Sequence, residues 1–297
     1  MMTLKINICL DVLRQLYLIP MSTNKTFYHL EITSEIKLSL SKIDAQKEKI
    51  NEKKKNNPDI WHTIQDKLKV DWTYDSNAIE GSTLTRGETL FFLQEGLTVE
   101  GKPFKDFLDA KNHSEAIDYL FDVIKNDRPI SESIIKELNA LLLHGIKHTP
   151  AIDGQGQKTI KPATPGKYKQ YPNHVQQLDG TIHHYTDPLQ VPSDMAELCT
   201  WIKESDSKIH PIIISAIAHY NMVRIHPFDD GNGRGARILM NLILIKKGYI
   251  PAIVKNKDRR RYIECLKDAD DGTIGMFVAF ICHSLDQTQQ GVLGDFL

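Results

Sequence analysis

The chain has 297 residues, with 37 Lys and Arg against 38 Asp and Glu, 41% hydrophobic and 25% charged residues. That mixture buries a core in one large or two small domains, and the balanced charge counts against binding a polyanion or an anionic membrane through net charge. Four cysteines (Cys9, Cys199, Cys265 and Cys282) lack CxxC spacing, which argues against a disulfide framework or structural zinc and predicts a reducing, cytoplasmic compartment.

The opening "KINICLDVLRQLYLIP" is interrupted by Asp11 and Arg14, and no small-residue cleavage site follows. Residues 1–20 are therefore expected to be a dispensable leader rather than a secretion signal, with Met21 an alternative start. No run is long enough to span a bilayer. Residues 31–70 read as helix, with apolar residues at helical spacing and a Lys/Glu-rich outer face. Asn56-Asn57-Pro58 interrupts it, and Pro58 opens a helix that runs through "DIWHTIQDKLKVDWTYDSNAIEG" to Gly81, a natural residue past a helix end. Thr85 is placed to cap the next helix with Glu88 as its box partner. "FKDFLDAKNHSEAIDYLFDVIKND" is strongly amphipathic, and Ser131 caps the apolar-periodic segment after it.

Residues 145–192 change character. Gly, Pro, Thr and Gln dominate, and Asp179-Gly180 between two short runs is a type I′ hairpin signal, the only good strand candidate in the chain. Helices then resume to the end. The prediction is one mainly α domain with a single protruding hairpin.

The informative stretch is "RIHPFDDGNGRGARILMNLILIKKG", Arg224 to Gly248. A Gly-x-Gly turn into a helix lets unpaired backbone N–H groups curve around an oxyanion, and the helix dipole favours negative charge there. Arg234 and Arg237, three apart, share a helix face and suit a di- or triphosphate. Asp230 is placed as a carboxylate ligand for Mg²⁺, which takes few carboxylates plus phosphate oxygens. Asn232 is expected to offer its amide to the same phosphates. His226 is a candidate general base at neutral pH. Phe228 is expected to point inward and anchor the loop. Singly, each feature is compatible with an ordinary turn; no fold needs all of them together for packing.

The run resembles the signature of the Fic (filamentation induced by cAMP) family, HxFx[DE]GNGRxxR, at His226, Phe228, Asp230, Gly231, Asn232, Gly233, Arg234 and Arg237. The resemblance extends from about Trp72 to His283, and "GYIPAIV" with "RRRYIECLKDADDGTIGMFVAFI" is similar to the segment that follows the motif in the family. It implies a Fic-type helical bundle with one β-hairpin flap, near Asn173–Tyr185, that holds a target peptide by strand addition. It implies AMP transfer from Mg-ATP to a Ser, Thr or Tyr hydroxyl of an unknown target protein. By resemblance, His226 is the base and Asp230 holds Mg²⁺. Gly231, Asn232, Gly233 and Arg234 form the anion hole for the α- and β-phosphates, and Arg237 meets the γ-phosphate. Tyr262 stands at an adenine-pocket tyrosine, and Asp270 where a close relative has asparagine.

"SNAIEG" resembles the family's inhibitory motif [ST]xxxE[GN], met by Ser76, Glu80 and Gly81. The resemblance implies the group with an N-terminal inhibitory helix, in which Glu80 pairs with Arg237 and denies it the γ-phosphate. Some relatives also use this glutamate to orient water and remove AMP. The implied organisation is the leader at 1–20, an N-terminal helical region at 21–100 with the inhibitory helix near 70–81, and the Fic core at 101–297. Homodimers occur among relatives. Two alternatives stay open: a nucleotide-binding regulatory protein, and a Fic transferase with another nucleotide donor. The absence of a basic recognition helix counts against nucleic acid.

Overall fold

Local chemistry sets the helix boundaries of the computed structural model, which describes residues 27–152, 157–173, 175–176 and 182–297. The expected leader and the Asp179-Gly180 turn lie outside the described residues. Helix α1 (Ser34–Asn56) opens where the Thr33 hydroxyl accepts from the Ile36 N–H. Pro58 takes the first position of α2 (Pro58–Ile79), where its missing N–H costs nothing. Glu80 and Gly81 follow, Gly81 at φ 97°. Helix α3 (Arg86–Glu95) carries the predicted capping box: Thr85 Oγ1 accepts from the Glu88 N–H, and the Glu88 carboxylate accepts from the Thr85 N–H.

The amphipathic α4 (Phe104–Lys125) and the Ser131-capped α5 (Glu132–Leu142) lead into the irregular segment. Helices α6 (Val191–Ser205), α7 (Pro211–Ile225), α8 (Asn232–Lys246), α9 (Arg259–Asp270) and α10 (Ile274–Asp295) complete a mainly α architecture. The centre is the pair α7 and α8, which pack on each other; Ile212–Met222 and Arg234–Leu244 are buried without interruption. Helix α4 lies between α2, α5 and α8, so α2 reaches the first turns of α8. No helix among the described residues is long and apolar enough to cross a membrane.

The expected single hairpin is corrected to two. Strands β1 (His148–Ile152) and β2 (Lys158–Pro162) pair antiparallel with Thr149 opposite Lys161. Strands β3 (Val175–Gln176) and β4 (Ile182–His183) pair with Val175 opposite His183, within the segment expected to form the hairpin. Pro150 and Pro162 disguise the first ribbon. In a two-stranded ribbon both strands are edges, so a residue that cannot donate is tolerated.

Candidate active site

The loop between α7 and α8 is built by its own side chains. His226 ends α7 in the left-handed region (φ 51°, ψ 60°), and its N–H bonds the Met222 carbonyl. Pro227 cannot continue the helix. Phe228 is fully buried, 5.6 Å from the Tyr168 ring. The Asn232 side chain is committed to the loop: Oδ1 accepts from the Phe228 N–H at 2.9 Å and Nδ2 donates to the Phe228 carbonyl at 2.8 Å. The expectation that this amide reaches a phosphate is therefore corrected. A buried loop must satisfy its backbone, and Asn232 does so here.

Gly231 sits at φ 77°, where a Cβ would come within 3.2 Å of Asn139 Nδ2. That amide donates to the Asp230 carbonyl at 2.9 Å, while Asn139 Oδ1 accepts from the Gly166 N–H. The first intrahelical bond of α8 runs from the Gly235 N–H to the Gly231 carbonyl, so the N–H groups of Asn232, Gly233 and Arg234 precede the helical ladder, as at any helix start.

The two aspartates divide the work. Asp229 is neutralised by Lys161 of β2 and bonded by the Thr164 hydroxyl at 2.6 Å. Asp230 keeps 31% of its side chain exposed and accepts from the Gly231 N–H. No cluster of three ionisable ligands exists among the described residues. A lone open carboxylate beside an anion cradle nevertheless fits magnesium, whose shell is completed by phosphate and water oxygens.

The two arginines are buried and held apart. Arg234 Nη1 donates to Asp109 of α4 at 2.7 Å, and Nη2 lies 3.8 Å from Asp230. Arg237, with 2% of its side chain exposed, donates from Nε to Ser76 Oγ (3.0 Å) and from Nη2 to the Ser76 carbonyl (2.8 Å) and Glu80 Oε1 (2.8 Å). Its Nη1 lies 3.4 Å from the Tyr262 hydroxyl, which is 3.0 Å from His219 Nε2. The Glu80 carboxylate also fills the space above Gly233, where an added Cβ would collide with Oε1. Burial works to raise the Glu80 carboxyl, but the Arg237 guanidinium, joined by Arg234 and Arg259, outweighs it and holds the group below its usual range.

His226 is stacked on Tyr185, ring centroids 3.8 Å apart at 21°. Its Nδ1 lies 3.3 Å from the Val223 carbonyl, which assigns the proton to Nδ1 and the lone pair to Nε2. Burial, then the charge of Lys169, pushes its pKa down to about 3. Asp270 accepts from the Tyr220 hydroxyl at 3.0 Å and lies 3.9 Å from His183 of β4.

The site thus brings together His226, Asp230, the Gly231–Arg234 turn, Arg237, Tyr262, Ser76 and Glu80, while Gly81 follows Glu80 at φ 97° with its N–H on the Ala78 carbonyl. Sequence reasoning missed Asp109, Asn139, Lys169 and His219. A partial signal existed for Asp109: Asp106, Asp109, Asn112 and His113 form a polar row inside the buried face of α4.

Residues 129–244 match the model of the Fic/DOC family. That stretch is a Fic domain. Over 72% of its length the chain is 32% identical to a protein adenylyltransferase Fic of Nematostella vectensis and 30% identical to one of Drosophila grimshawi. It spans 46% and 41% of those proteins, less than half of each. Among solved structures it is similar to a Fic domain containing signaling protein from Bacteroides thetaiotaomicron (27% identity, TM-score 0.72, 86% of this chain and 97% of that one). It is also similar to Fic-1 of C. elegans (25% identity, TM-score 0.72, 87% of this chain and 71% of that one).

Proposed function

We propose that this Fic-domain chain transfers AMP from ATP to a hydroxyl of a target protein and that α2 restrains it. The observation that carries the reading is the joint hold of Ser76 and Glu80 on Arg237, one turn inside a phosphate cradle that opens behind His226 and Asp230. In the transfer, the target oxygen attacks the α-phosphorus and the bond to the β-bridging oxygen breaks. Pyrophosphate leaves, and the hydroxyl proton passes to His226 Nε2. Asp230 would hold magnesium, which supplies charge neutralisation for the phosphates. Gly231 shapes the turn, the backbone N–H groups of Asn232, Gly233 and Arg234 cradle the α- and β-phosphates, and Arg237 meets the γ-phosphate once Glu80 releases it.

Glu80 is a competing anion for that arginine, so the resting chain binds ATP with a misplaced tail. On this reading residues 21–100 are the controlling region and 101–297 the core. The three described cysteines are unpaired, which supports a reducing, cytoplasmic setting.

A second reading, with another nucleotide donor, draws on Asp270, two turns beyond Tyr262 on α9. A carboxylate only accepts hydrogen bonds; on their Watson–Crick edges adenine offers it one donor group and guanine two. The test is incubation with α-phosphate-labelled ATP, GTP, UTP or CTP and Mg²⁺, read by gel and intact mass. Glu80→Gly is expected to label itself or a target with AMP, and Glu80→Gly with His226→Ala to lose the label. An unlabelled Glu80→Gly protein with all four nucleotides overturns the proposal.

A further inference from the structure

Lys169 lies outside the motif, yet it is 2% exposed beneath the turn that carries His226. Its N–H bonds the Pro227 carbonyl at 2.8 Å. Its Nζ donates to Asn173 Oδ1 at 2.7 Å and makes a long contact of 3.5 Å with the Ile225 carbonyl. Asn173 in turn donates from Nδ2 to the Phe228 carbonyl at 2.8 Å. The ammonium also sits 5.8 Å from the Tyr185 ring, which is stacked on His226. One lysine therefore joins the backbone on both sides of His226 to the approach to β3 and to the residue that covers the imidazole. A buried ammonium is expensive to desolvate, and the acceptors that meet this one, Asn173 Oδ1 and the Ile225 carbonyl, are both neutral. Packing alone gives no reason to keep a charge there.

We propose that Lys169 is a positioning residue for His226: with Asn173 it fastens the 225–228 turn to the base of the β3–β4 segment, and it sets a fixed positive charge against the Tyr185 ring that covers the imidazole. This rests on the reading of His226 as the base. Burial lowers Lys169 itself to about 8, so it stays protonated at neutral pH. The charged and titratable groups around the pair come from every neighbouring element. His183 of β4 and Tyr185 face the imidazole; Asp187, Lys161 and Asp229 act on Lys169; Asp230 lies in the following loop. Asp229 is already neutralised by Lys161. Lys169 is thus, after burial, the largest influence on His226.

The test is an NMR pH titration of the full chain labelled at histidine Cε1, with the His226 resonance assigned by its loss in His226→Gln. The wild type and Lys169→Arg are expected to keep a neutral imidazole to the lowest pH at which they remain folded. Lys169→Met is expected to raise the His226 midpoint by about one unit or more. In a Glu80→Gly background, Lys169→Met is expected to lower kcat about tenfold or more with KM for ATP within about twofold, and to move the acid limb of kcat upward, while Lys169→Arg restores most of the rate. An unchanged His226 midpoint in Lys169→Met, or equal loss in Met and Arg, overturns the proposal. Should Lys169→Met fail to fold, Asn173→Ala takes its place. It keeps the charge but frees the turn, so it must lower kcat without moving the midpoint, and an unchanged kcat overturns the clamp. The titration needs no turnover: if the Glu80→Gly parent labels nothing, the proposed function fails while the NMR arm still decides this one.

Discussion

Replacing Glu80 by glutamine tests the restraint on Arg237 quantitatively. The variant keeps the size of the side chain and one acceptor while removing the charge. A hydrogen bond to a charged group contributes about 1.5–3 kcal/mol net. Glu80 keeps 44% of its side chain exposed, so solvent screening places this one at the lower end, about 1.5 kcal/mol. The Ser76 and Tyr262 contacts to Arg237 survive, so the guanidinium stays in place and only its competition with phosphate changes. At 1.4 kcal/mol per decade, ATP is expected to bind about tenfold more tightly to Glu80→Gln. The nucleotide-free protein should meanwhile melt about 2–4 °C lower, because a buried arginine has lost its counterion. Calorimetry with Mg-ATP and melting curves with and without nucleotide read both quantities. A Glu80→Gln protein that binds ATP within about twofold of wild type, or that melts higher without nucleotide, refutes the reasoning.

Gly233→Ala gives the contrasting result. Its Cβ displaces the Glu80 carboxylate but fills the cradle itself, so ATP binding should weaken about tenfold or more by calorimetry, consistent with about 1–3 kcal/mol of overpacking. Asn232→Ala strands the Phe228 N–H and should cost about 1–3 kcal/mol in denaturant unfolding. Asp109→Asn leaves Arg234, 4% exposed, without its close carboxylate and is expected to cost about 3 kcal/mol in the same assay. His113, His219 and His226 are all held neutral, chiefly by burial, with folded pKa values below the usual 6.5. The unfolded chain therefore binds more protons below that pH, and stability falls as pH drops from 6.5 to 5 by up to about 2 kcal/mol per histidine. His219→Gln should remove one share of that slope. Glu80, depressed below the usual carboxylate range, contributes stability that is present above about 4.5 and lost only at lower pH, so it adds nothing in this window.

What was legible in the sequence was what is local. The Thr85–Glu88 box, the break at Asn57-Pro58 and the helical faces each depend on residues three or four apart, and each stands in the fold. The β1–β2 ribbon was not legible, because a five-residue edge pair leaves little periodicity and Pro150 reads as its negation. Within the site, the eight-position run was readable because it is one turn of chain. The direction of the Asn232 amide was not, since the same residue could cap the loop or face the cleft. Asn139, Asp109 and Lys169 meet the loop from 91, 125 and 56 residues away. No local pattern encodes such a distance, although charged residues on the buried face of α4 mark a place where some partner must exist.

On the proposed reading, the contacts of Arg237 divide control from chemistry along the chain. The stretch that matches the family model, 129–244, holds His226, Asp230, the cradle and Arg237 itself. Every side-chain partner of Arg237 lies outside it: Ser76 and Glu80 before, Tyr262 after. Arg237 is 2% exposed and cannot turn to water, so its state is chosen among those partners and whatever anion enters the cradle. Helix α2 is held by α1, α3 and α4 rather than by the loop that carries the base. A change in how α2 sits therefore alters the hold on Arg237 without touching His226. On the proposed reading, substitutions along α2 tune how much ATP is productively bound and leave the intrinsic transfer step alone, whereas substitutions around Lys169 do the reverse.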